Sequence, residues 1–421
     1  YLSPVDNEET YNDDVVSKIV LGAYNCLYIS SLKGGVKELN LTSGKLRDLL
    51  LKDENNEAIY CRTLLVYTDN ELWIGTESGV YIYNLRTEKY THLRSSEYDP
   101  YSLSDNAIYS FCKDREDGIW IGSYFGGVNY YPRSYTYFEK YYPKGIENSL
   151  HGKRVREFCR DSQGILWIGT EDGGLNRFNL KTKDFSFFAP SAGFTNIHGL
   201  CLVDDKLWVG TFSKGLKVID TRSGVVLKTY QKNDSPRSLI DNSIFAICKT
   251  ATGDIYLGTM FGLVRYNKQS DDFDRIPELN GKFIYDIKED SAGNIWLATY
   301  ANGVYCYNVN DRKWKNYVHD DKDNTSLPYN KVSSVFEDSH RQIWLTTQGG
   351  GFCIFHPESE TFTSYNSTNG LPSDVVYQIV EDKEGQLWLT TNNGLVCFQP
   401  NTEAMKVYTT ANGLLGDQFN Y

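Results

Sequence analysis

The side chains that could bind a ligand lie in short loops, each of which follows a repeated Trp-containing motif. These loops carry aromatic rings beside amides and an occasional lysine, which suits sugars because sugar rings offer apolar faces and hydroxyl edges. Arg154 and Arg156 on a nearby strand could meet an anionic sugar. The candidate ligand-binding residues are Tyr124, Phe125, Arg154, Arg156, Phe212, Lys214, Tyr300, Asn302, Gln348 and Asn392. The alternative is that they are ordinary loop residues on an irregular surface.

Patterns typical of catalysis, metal binding or cofactor binding are not found. The six His residues are scattered, and there is no CxxC pair, nucleophile elbow, phosphate loop or dinucleotide fingerprint. Acidic turns such as residues 114–118 lack the alternating ligand spacing of a calcium loop, so they are interpreted as hairpin turns. The sequence therefore predicts no catalytic residue, metal or cofactor. A carboxylate pair for glycoside cleavage stays open, because 54 Asp and Glu residues allow many combinations.

A repeat provides the elements that must position the loops. Its most regular copy is Leu-Trp-Ile-Gly-Thr at residues 166–170, and nine copies follow one another at intervals of 40 to 48 residues. Trp314 is the one Trp outside the pattern. The anchor residues of the nine copies are Tyr28, Trp73, Trp120, Trp167, Trp208, Tyr256, Trp296, Trp344 and Trp388.

Each copy predicts four short strands. A turn signal precedes the anchor, a glycine follows it by six or seven residues, and alternating apolar runs such as residues 155–159 flank both. Four antiparallel strands in about 40 to 45 residues are typical of a propeller blade. The predicted fold is therefore an all-β propeller of four-stranded antiparallel blades, with the Trp residues packed between adjacent blades.

Composition narrows the class further. Lys and Arg number 43 against 54 Asp and Glu, and the net charge of −11 argues against a nucleic-acid surface. No apolar run is long enough to span a membrane, and no apolar signal peptide opens the chain. Seven of the nine Cys residues fall at repeat positions on different blades, too far apart for disulfides, so we expect small buried hydrophobes.

The motif LWIGTEDGGLNRF at residues 166–178 resembles the two-component regulator propeller repeat. The resemblance covers about residues 28–408. YFGGVNYY at residues 124–131, followed by Asn148-Ser149-Leu150, is similar to the middle of the sensor region of Bacteroides-type hybrid two-component systems. NGLLGDQFN at residues 412–420 is similar to the opening of that region's last blade.

That resemblance implies two seven-bladed propellers in the periplasm, joined through a membrane helix to a histidine kinase, a receiver and a DNA-binding domain. Only the sensing part would be present here. On this interpretation residues 1–134 are three blades, the tail of a first propeller, and residues 135–421 are six blades and the start of a seventh. A single closed ring with more blades is the alternative.

The function implied is recognition of oligosaccharides from glycan breakdown, which signals to a histidine kinase controlling polysaccharide-utilisation genes. The resemblance implies a homodimer through the full-length receptor, and contact with a membrane only through parts outside this sequence. The segment is expected to be non-catalytic. The alternatives are a propeller scaffold that binds proteins and a propeller glycosidase or lyase.

Overall fold

The structure is a computed structural model that describes residues 15–99, 101–115, 117–132, 138–188 and 194–420. In that part of the chain, 35 strands and three short 3-10 helices are present, and the strands form nine antiparallel sheets. Within each sheet, every strand pairs with the next one along the chain. The prediction of an all-β propeller with antiparallel blades is therefore confirmed. None of the helices described is both long and apolar enough for a membrane crossing.

The chain divides into two compact units, of which Tyr1–Tyr135 is unit 1. Its described part contains three sheets, here called blades 1 to 3. Blade 1 is β1 (Val16–Leu21), β2 (Cys26–Ser31), β3 (Val36–Asn40) and β4 (Leu46–Leu50); blade 2 is β5 (Cys61–Thr68), β6 (Glu71–Thr76), β7 (Gly79–Asn84) and β8 (Tyr90–Leu93); blade 3 is β9 (Ile108–Lys113), β10 (Ile119–Ser123) and β11 (Val128–Tyr131). The residues that follow blade 3, 133–137, lie outside the described part.

Unit 2 is Thr136–Tyr421 and contains six four-stranded sheets, blades 4 to 9. Blade 4 is β12 (Val155–Arg160), β13 (Ile165–Thr170), β14 (Gly174–Asn179) and β15 (Phe185–Phe188); blade 5 is β16 (Ile197–Val203), β17 (Lys206–Thr211), β18 (Leu216–Asp220) and β19 (Val226–Tyr230); blade 6 is β20 (Ile244–Lys249), β21 (Ile255–Thr259), β22 (Gly262–Asn267) and β23 (Asp272–Arg275). Blade 7 is β24 (Ile284–Glu289), β25 (Ile295–Thr299), β26 (Val304–Asn308) and β27 (Lys313–Tyr317); blade 8 is β28 (Val332–Glu337), β29 (Ile343–Thr347), β30 (Phe352–His356) and β31 (Thr361–Tyr365); blade 9 is β32 (Val376–Glu381), β33 (Leu387–Thr391), β34 (Gly394–Gln399) and β35 (Ala404–Tyr408).

The three short helices lie in linkers, at Pro277–Leu279, Ser367–Asn369 and Thr410–Asn412. The linker after blade 9 repeats the geometry of the linker before it. The N–H groups of Ser367 and Thr410 each donate to an aspartate seven residues further on. Blade 9 is therefore followed by a segment shaped like an interblade linker. That the two units are the tail of one ring and most of another stays a prediction.

All nine anchors lie on the second strand of their blade, and Trp314 lies on a fourth strand. The Thr that ends most second strands is buried, and its hydroxyl donates to the carbonyl of the glycine opening the third strand, as Thr299 does to Gly303 at 2.6 Å. Gly303 has φ of 72°, and a Cβ there would lie 2.1 Å from the Tyr317 carbonyl oxygen. The repeated glycine is thus required by close backbone approach.

In the described part of the chain, the acidic turn before five of the nine anchors also binds the anchor's indole ring. In blade 4 one oxygen of Asp161 accepts backbone N–H groups of its own turn, and the other accepts the indole N–H of Trp167 at 2.9 Å. The same aspartate–indole bond, six residues apart, is made by Asp114–Trp120, Asp290–Trp296, Asp338–Trp344 and Asp382–Trp388. The turn therefore fixes the anchor ring that packs between blades. The sequence predicts the hairpin turn but not this second bond.

The core lies between blades and not within one. Six apolar clusters each combine residues from two consecutive blades. A seventh joins Trp296 of blade 7 with Leu345 of blade 8 and also includes Phe245 of blade 6. An eighth cluster, around Phe178, belongs to blade 4 and the segment just before it. Stacked sheets of this kind bury both faces of each interior blade.

The nine cysteines are all free thiols. Five are buried and three are partly buried, as expected for small hydrophobes at repeat positions. Cys112 departs from that expectation because it is exposed on blade 3. The anchor of the same blade, Trp120, is also 46% exposed, whereas Trp73 and Trp167 are buried.

Candidate ligand-binding surface

The first strands of successive blades lie beside one another within each unit, so they line the axis of the blade array. In unit 2 each of these strands contains a β-bulge, one additional residue that the second strand does not match. Bulges redirect side chains and recur beside functional sites. The six bulge residues are Arg156, His198, Phe245, Tyr285, Ser333 and Tyr377.

Three of the bulge residues belong to a continuous group of rings, here called the aromatic surface. It consists of His198, Phe212, Phe245, Phe283, Tyr285 and Tyr300, with neighbouring ring centroids 4.5 to 6.0 Å apart. Phe212 and Tyr300 are 38% and 43% exposed, whereas Phe245 and Tyr285 are buried. The buried rings support the exposed ones, which presents fixed apolar faces to solvent. Two predicted site residues, Phe212 and Tyr300, are thus brought together.

Cationic side chains flank the aromatic surface. The Lys331 ammonium lies 4.4 Å from the centroid of the Tyr300 ring, within cation–π range. On blade 4, Arg156 and Arg154 both approach the carboxylate of Glu171, at 3.0 and 3.6 Å. Both predicted arginines therefore pair with the same carboxylate, that of Glu171, which lies in the loop after the anchor Trp167.

The charge state of the surface follows from its burial. Burial, and then the positive charge of Arg156, lower the pKa of His198 to about 4. Its Nε2 lies 2.8 Å from the Asn196 amide oxygen, which only accepts, so neutral His198 donates from that nitrogen. Burial, and then Tyr300, raise the pKa of Tyr285 to about 12. At neutral pH the surface is therefore made of uncharged rings flanked by arginine and lysine.

The residue after each bulge forms a second level along the first strands, and two of its members are acidic: Glu157 and Asp286. Burial, and then the charge of Asp286, raise the pKa of Glu157 to about 8. Burial also raises the pKa of Asp286, although its carboxylate accepts N–H bonds from Ile287 and Val335. Two such carboxyls favour a protonated Glu157 at neutral pH.

Gln348 is joined to the aromatic surface through Lys331. Its backbone N–H donates to the Lys331 carbonyl at 2.9 Å, and the side chain of that lysine covers Tyr300. The Gln348 Nε2 atom is shielded from solvent and makes no hydrogen bond within the described residues. The predicted site residue Gln348 therefore lies beside the aromatic surface, and no described protein group accepts a hydrogen bond from its side-chain amide.

Lys214, Asn302 and Asn392 occupy equivalent loops after the second strands of blades 5, 7 and 9. Their backbone N–H groups bond to Thr211, Thr299 and Val375. In the described part of the chain, no hydrogen bond or ion pair links their side chains to the aromatic surface. The structure places them around the same end of the blades without joining them to it.

Tyr124 and Phe125 belong to unit 1 and form a separate, smaller aromatic group. Tyr124 stacks on Tyr109 at 5.2 Å and contacts Phe125 at 4.4 Å. The Arg62 guanidinium lies 5.0 Å from the centre of the Tyr109 ring. Tyr124 and Phe125 are 60% and 87% exposed.

Sequence reasoning missed the rings that support the aromatic surface. It examined the loops after the anchors, whereas His198, Phe245 and Tyr285 lie on the first strands and Phe283 immediately precedes one. A usable signal was present, because a bulky or charged residue recurs ten or eleven positions before most anchors of unit 2. Among the described residues, no group of three or more His, Cys, Asp or Glu side chains is placed to bind a metal ion.

Four segments of the chain match the two-component regulator propeller family, at residues 102–125, 149–172, 278–301 and 370–393. Each of them covers the first two strands of a blade. Histidine kinase P4 from Formosa agariphila is 29% identical over 242 residues, which are 53% of this chain and 17% of that protein. The chain thus spans less than a fifth of the length of this curated relative.

Three solved structures are similar to this chain. The extracellular domain of a hybrid two-component system from B. thetaiotaomicron is 24% identical, with a TM-score of 0.47 over 96% of this chain and 59% of that one. PorZ of Porphyromonas gingivalis is 15% identical, with a TM-score of 0.52 over 96% of this chain and 59% of that one. Virginiamycin B lyase from Staphylococcus aureus is 14% identical, with a TM-score of 0.50 over 62% of this chain and 86% of that one.

The fold and the blade geometry define a β-propeller protein. Within that class, four of its blades contain segments that match the two-component regulator propeller family.

Proposed function

We propose that this chain is the extracytoplasmic, ligand-sensing region of a hybrid two-component system. In this proposal it lies in the periplasm, recognises oligosaccharides released by glycan breakdown, and signals to a histidine kinase that controls polysaccharide-utilisation genes. The observation that carries the proposal is the aromatic surface of unit 2, with exposed Phe212 and Tyr300 on buried rings. The family matches and the histidine kinase relative support the signalling role.

An oligosaccharide suits this surface for physical reasons. A pyranose ring has an apolar face that packs on Phe212 or Tyr300, and hydroxyl edges that need fixed polar partners. Lys331 and the arginines of blade 4 offer donors at the margin. Since these donors are cationic, carboxylated or sulfated sugars gain an additional attraction.

Signalling requires that the ligand bind one arrangement of the receptor better than another, because an equal affinity shifts no equilibrium. The proposal places that change in a homodimer of the full-length receptor, whose other parts connect this region to the membrane. The propeller itself acts as a rigid platform and not as a catalyst. Ligand turnover is therefore not expected.

Isothermal titration calorimetry against a panel of neutral and anionic oligosaccharides tests the proposal. We expect one glycan class to bind, with no change in that glycan after overnight incubation. Tyr300→Ala should weaken binding by about tenfold or more, since stacked aromatic contacts contribute on the order of 1 kcal/mol or more. Phe125→Ala removes an exposed ring from the separate aromatic group of unit 1, the alternative place for a site, and under this proposal it leaves binding unchanged.

Three outcomes separate the candidate functions. Binding that depends on Tyr300 but not on Phe125 supports the sensor. Binding of a protein partner with no response to any glycan supports a scaffold. Release of shorter sugars or unsaturated products indicates a glycosidase or lyase.

A further inference from the structure

A cleft of about 540 Å³ lies at the joint between blades 7 and 8. Small-molecule sites in proteins have volumes of about 300 to 1,000 Å³, so the cleft is large enough for a ligand. Its walls include the turns that precede the second strands of both blades. Phe212 and Tyr300 of the aromatic surface follow second strands instead, so the cleft and that surface lie at opposite ends of the blades.

The floor of the cleft is apolar. It is formed by buried side chains of both blades, which belong to one cluster: Trp296, Cys306, Ile343 and Phe355. Tyr317, on the fourth strand of blade 7, also lines the cleft and is partly exposed. Its ring is stacked on the Trp296 indole, with the centroids 6.2 Å apart. An aromatic ring of a ligand can therefore pack on Tyr317 and cover this floor.

A small side chain explains why this joint leaves space. Cys306 pairs with the anchor Trp296 across the second and third strands of blade 7. Blade 9 also has a cysteine at that position, Cys397. In blades 4, 5 and 8 the corresponding residue is larger: Arg177, Val218 and Ile354. Since Cys306 fills less volume than these side chains, part of the floor stays open.

Three charged side chains line the rim of the cleft: Asp290, Glu337 and Arg341. Asp290 accepts hydrogen bonds from the Trp296 indole at 2.9 Å and from N–H groups of its own turn. Glu337 accepts from the N–H and the hydroxyl of Ser291, at 2.8 and 2.6 Å. These donors are all uncharged. Arg341 is exposed, and within the described residues its guanidinium makes no hydrogen bond or ion pair.

The rim therefore presents both signs of charge to a ligand. In the described part of the chain, no cation lies within ion-pair distance of Asp290 or Glu337, and no carboxylate within that distance of Arg341. A further lining carboxylate, Glu360, already pairs with Lys315. A ligand with one positive and one negative group matches this rim, because each of its charges finds an opposite charge.

We propose that the cleft binds a free α-amino acid with an aromatic side chain. The ring of the ligand packs on Tyr317 and the apolar floor, its carboxylate binds the Arg341 guanidinium, and its ammonium group binds Glu337. Asp290 adds to the negative potential that holds the ammonium group. The site shares no residue with the aromatic surface, so this proposal does not depend on the proposed function.

Saturation-transfer difference NMR on the complete chain tests the proposal with three probes. L-phenylalanine carries both charges, phenethylamine lacks the carboxylate, and 3-phenylpropionate lacks the ammonium group. We expect L-phenylalanine to bind with a dissociation constant of about 2 mM or lower, as its roughly 12 non-hydrogen atoms allow. Each of the other two probes should bind about threefold or more weakly, because it loses one charge pair.

Two variants locate the binding in the cleft. Cys306→Ile introduces the side chain that blade 8 has at this position and should weaken phenylalanine binding by about tenfold or more, because it fills the floor. Cys397→Ile is the matched control, and it should leave the affinity unchanged. Arg341→Gln should weaken phenylalanine binding by about threefold or more and leave phenethylamine binding unchanged. Tyr300→Ala, on the aromatic surface, should alter neither.

No saturation transfer to L-phenylalanine would overturn the proposal, and so would an equal affinity for either of the other probes. Equal losses in Cys306→Ile and Cys397→Ile would also overturn it, because the effect would then not come from the cleft. If Cys306→Ile does not fold, Arg341→Gln still decides, since Arg341 is exposed. A phenylalanine affinity that Arg341→Gln leaves unchanged contradicts the proposal.

Discussion

The two units contain the same arginine–glutamate pair at the same repeat positions, yet the rings beside it differ in exposure. In unit 1 the bulge residue Arg62 pairs with Glu77 at 2.5 Å, and in unit 2 the bulge residue Arg156 pairs with Glu171 at 3.0 Å. Both glutamates follow their anchor by four residues.

The next bulge shows the difference. In unit 1 it is Tyr109, 42% exposed and stacked on exposed Tyr124. In unit 2 it is His198, 7% exposed and packed between Phe212 of its own blade and Phe245 of the next. The repeat thus determines where a side chain lies along the strand. The number of blades packed around it determines whether that side chain is solvent-facing or supports other rings.

The largest contrast is expected for the aspartate that holds the anchor indole. Asp338→Ala leaves the buried Trp344 N–H and two turn amides without an acceptor, which should cost about 3 kcal/mol of unfolding free energy. Asp114→Ala removes the same bond from the exposed Trp120 and should cost under about 1 kcal/mol. Urea denaturation of both variants measures the difference, and equal losses would show that blade context does not matter.

The second contrast concerns pH. Because Glu157 has a pKa of about 8 in the folded chain against an ordinary 4.5, the folded state binds the additional proton between these values. The free energy of unfolding of unit 2 should therefore fall by about 2 kcal/mol as the pH rises from 6 to 8. The largest possible fall for one proton is about 1.4 kcal/mol per pH unit, or about 2.8 kcal/mol over this range. Glu157→Gln should remove that slope.

Thr63 of unit 1 occupies the position equivalent to Glu157 and has no titrating group. The stability of unit 1 therefore should not show this pH dependence. Thermal unfolding between pH 6 and 9 measures how stability depends on pH. Hydrogen exchange at the same pH values assigns that dependence to unit 1 or unit 2. A slope that persists in Glu157→Gln would assign the titration to another group.

A smaller effect is expected at the arginines. Replacing Arg156 with Ala removes a positive charge beside His198, so the histidine pKa should rise from about 4 but stay below its ordinary value, because burial remains the larger cause. Arg62→Ala should leave it unchanged. An NMR titration of the His198 ring measures both, and a pKa unmoved by Arg156→Ala would contradict the account.

The smallest perturbation is chemical labelling. Cys112 on blade 3 is exposed, whereas Cys353 between blades 7 and 8 is fully buried and burial raises its pKa. A maleimide should therefore modify Cys112 in the native chain and leave Cys353 unmodified until unfolding. Peptide mapping after labelling provides the check, and early labelling of Cys353 would indicate an open joint.

The sequence predicted the fold because every blade repeats the same local grammar. The anchor, the acidic turn and the glycine each have a contact within one blade, so their positions follow from spacing alone. Glu157 and Asp286 were not predicted as partners, because their approach depends on blades three repeats apart.

The candidate site was predicted in part for the same reason. Loops after the anchors were recognised, and Phe212 and Tyr300 do lie on one surface. The buried rings below them are bulge residues, and a bulge depends on pairing between strands that a single strand does not reveal. Whether the ten predicted residues bind a ligand stays a prediction.

The central claim is that the aromatic surface of unit 2 binds the sensed oligosaccharide. Calorimetric titration of the glycan that binds the unmodified chain, repeated with Tyr300→Ala and Phe125→Ala, tests it most directly. The account predicts an affinity loss of about tenfold or more for Tyr300→Ala and none for Phe125→Ala. An affinity that Tyr300→Ala leaves unchanged, or that Phe125→Ala abolishes, would contradict it.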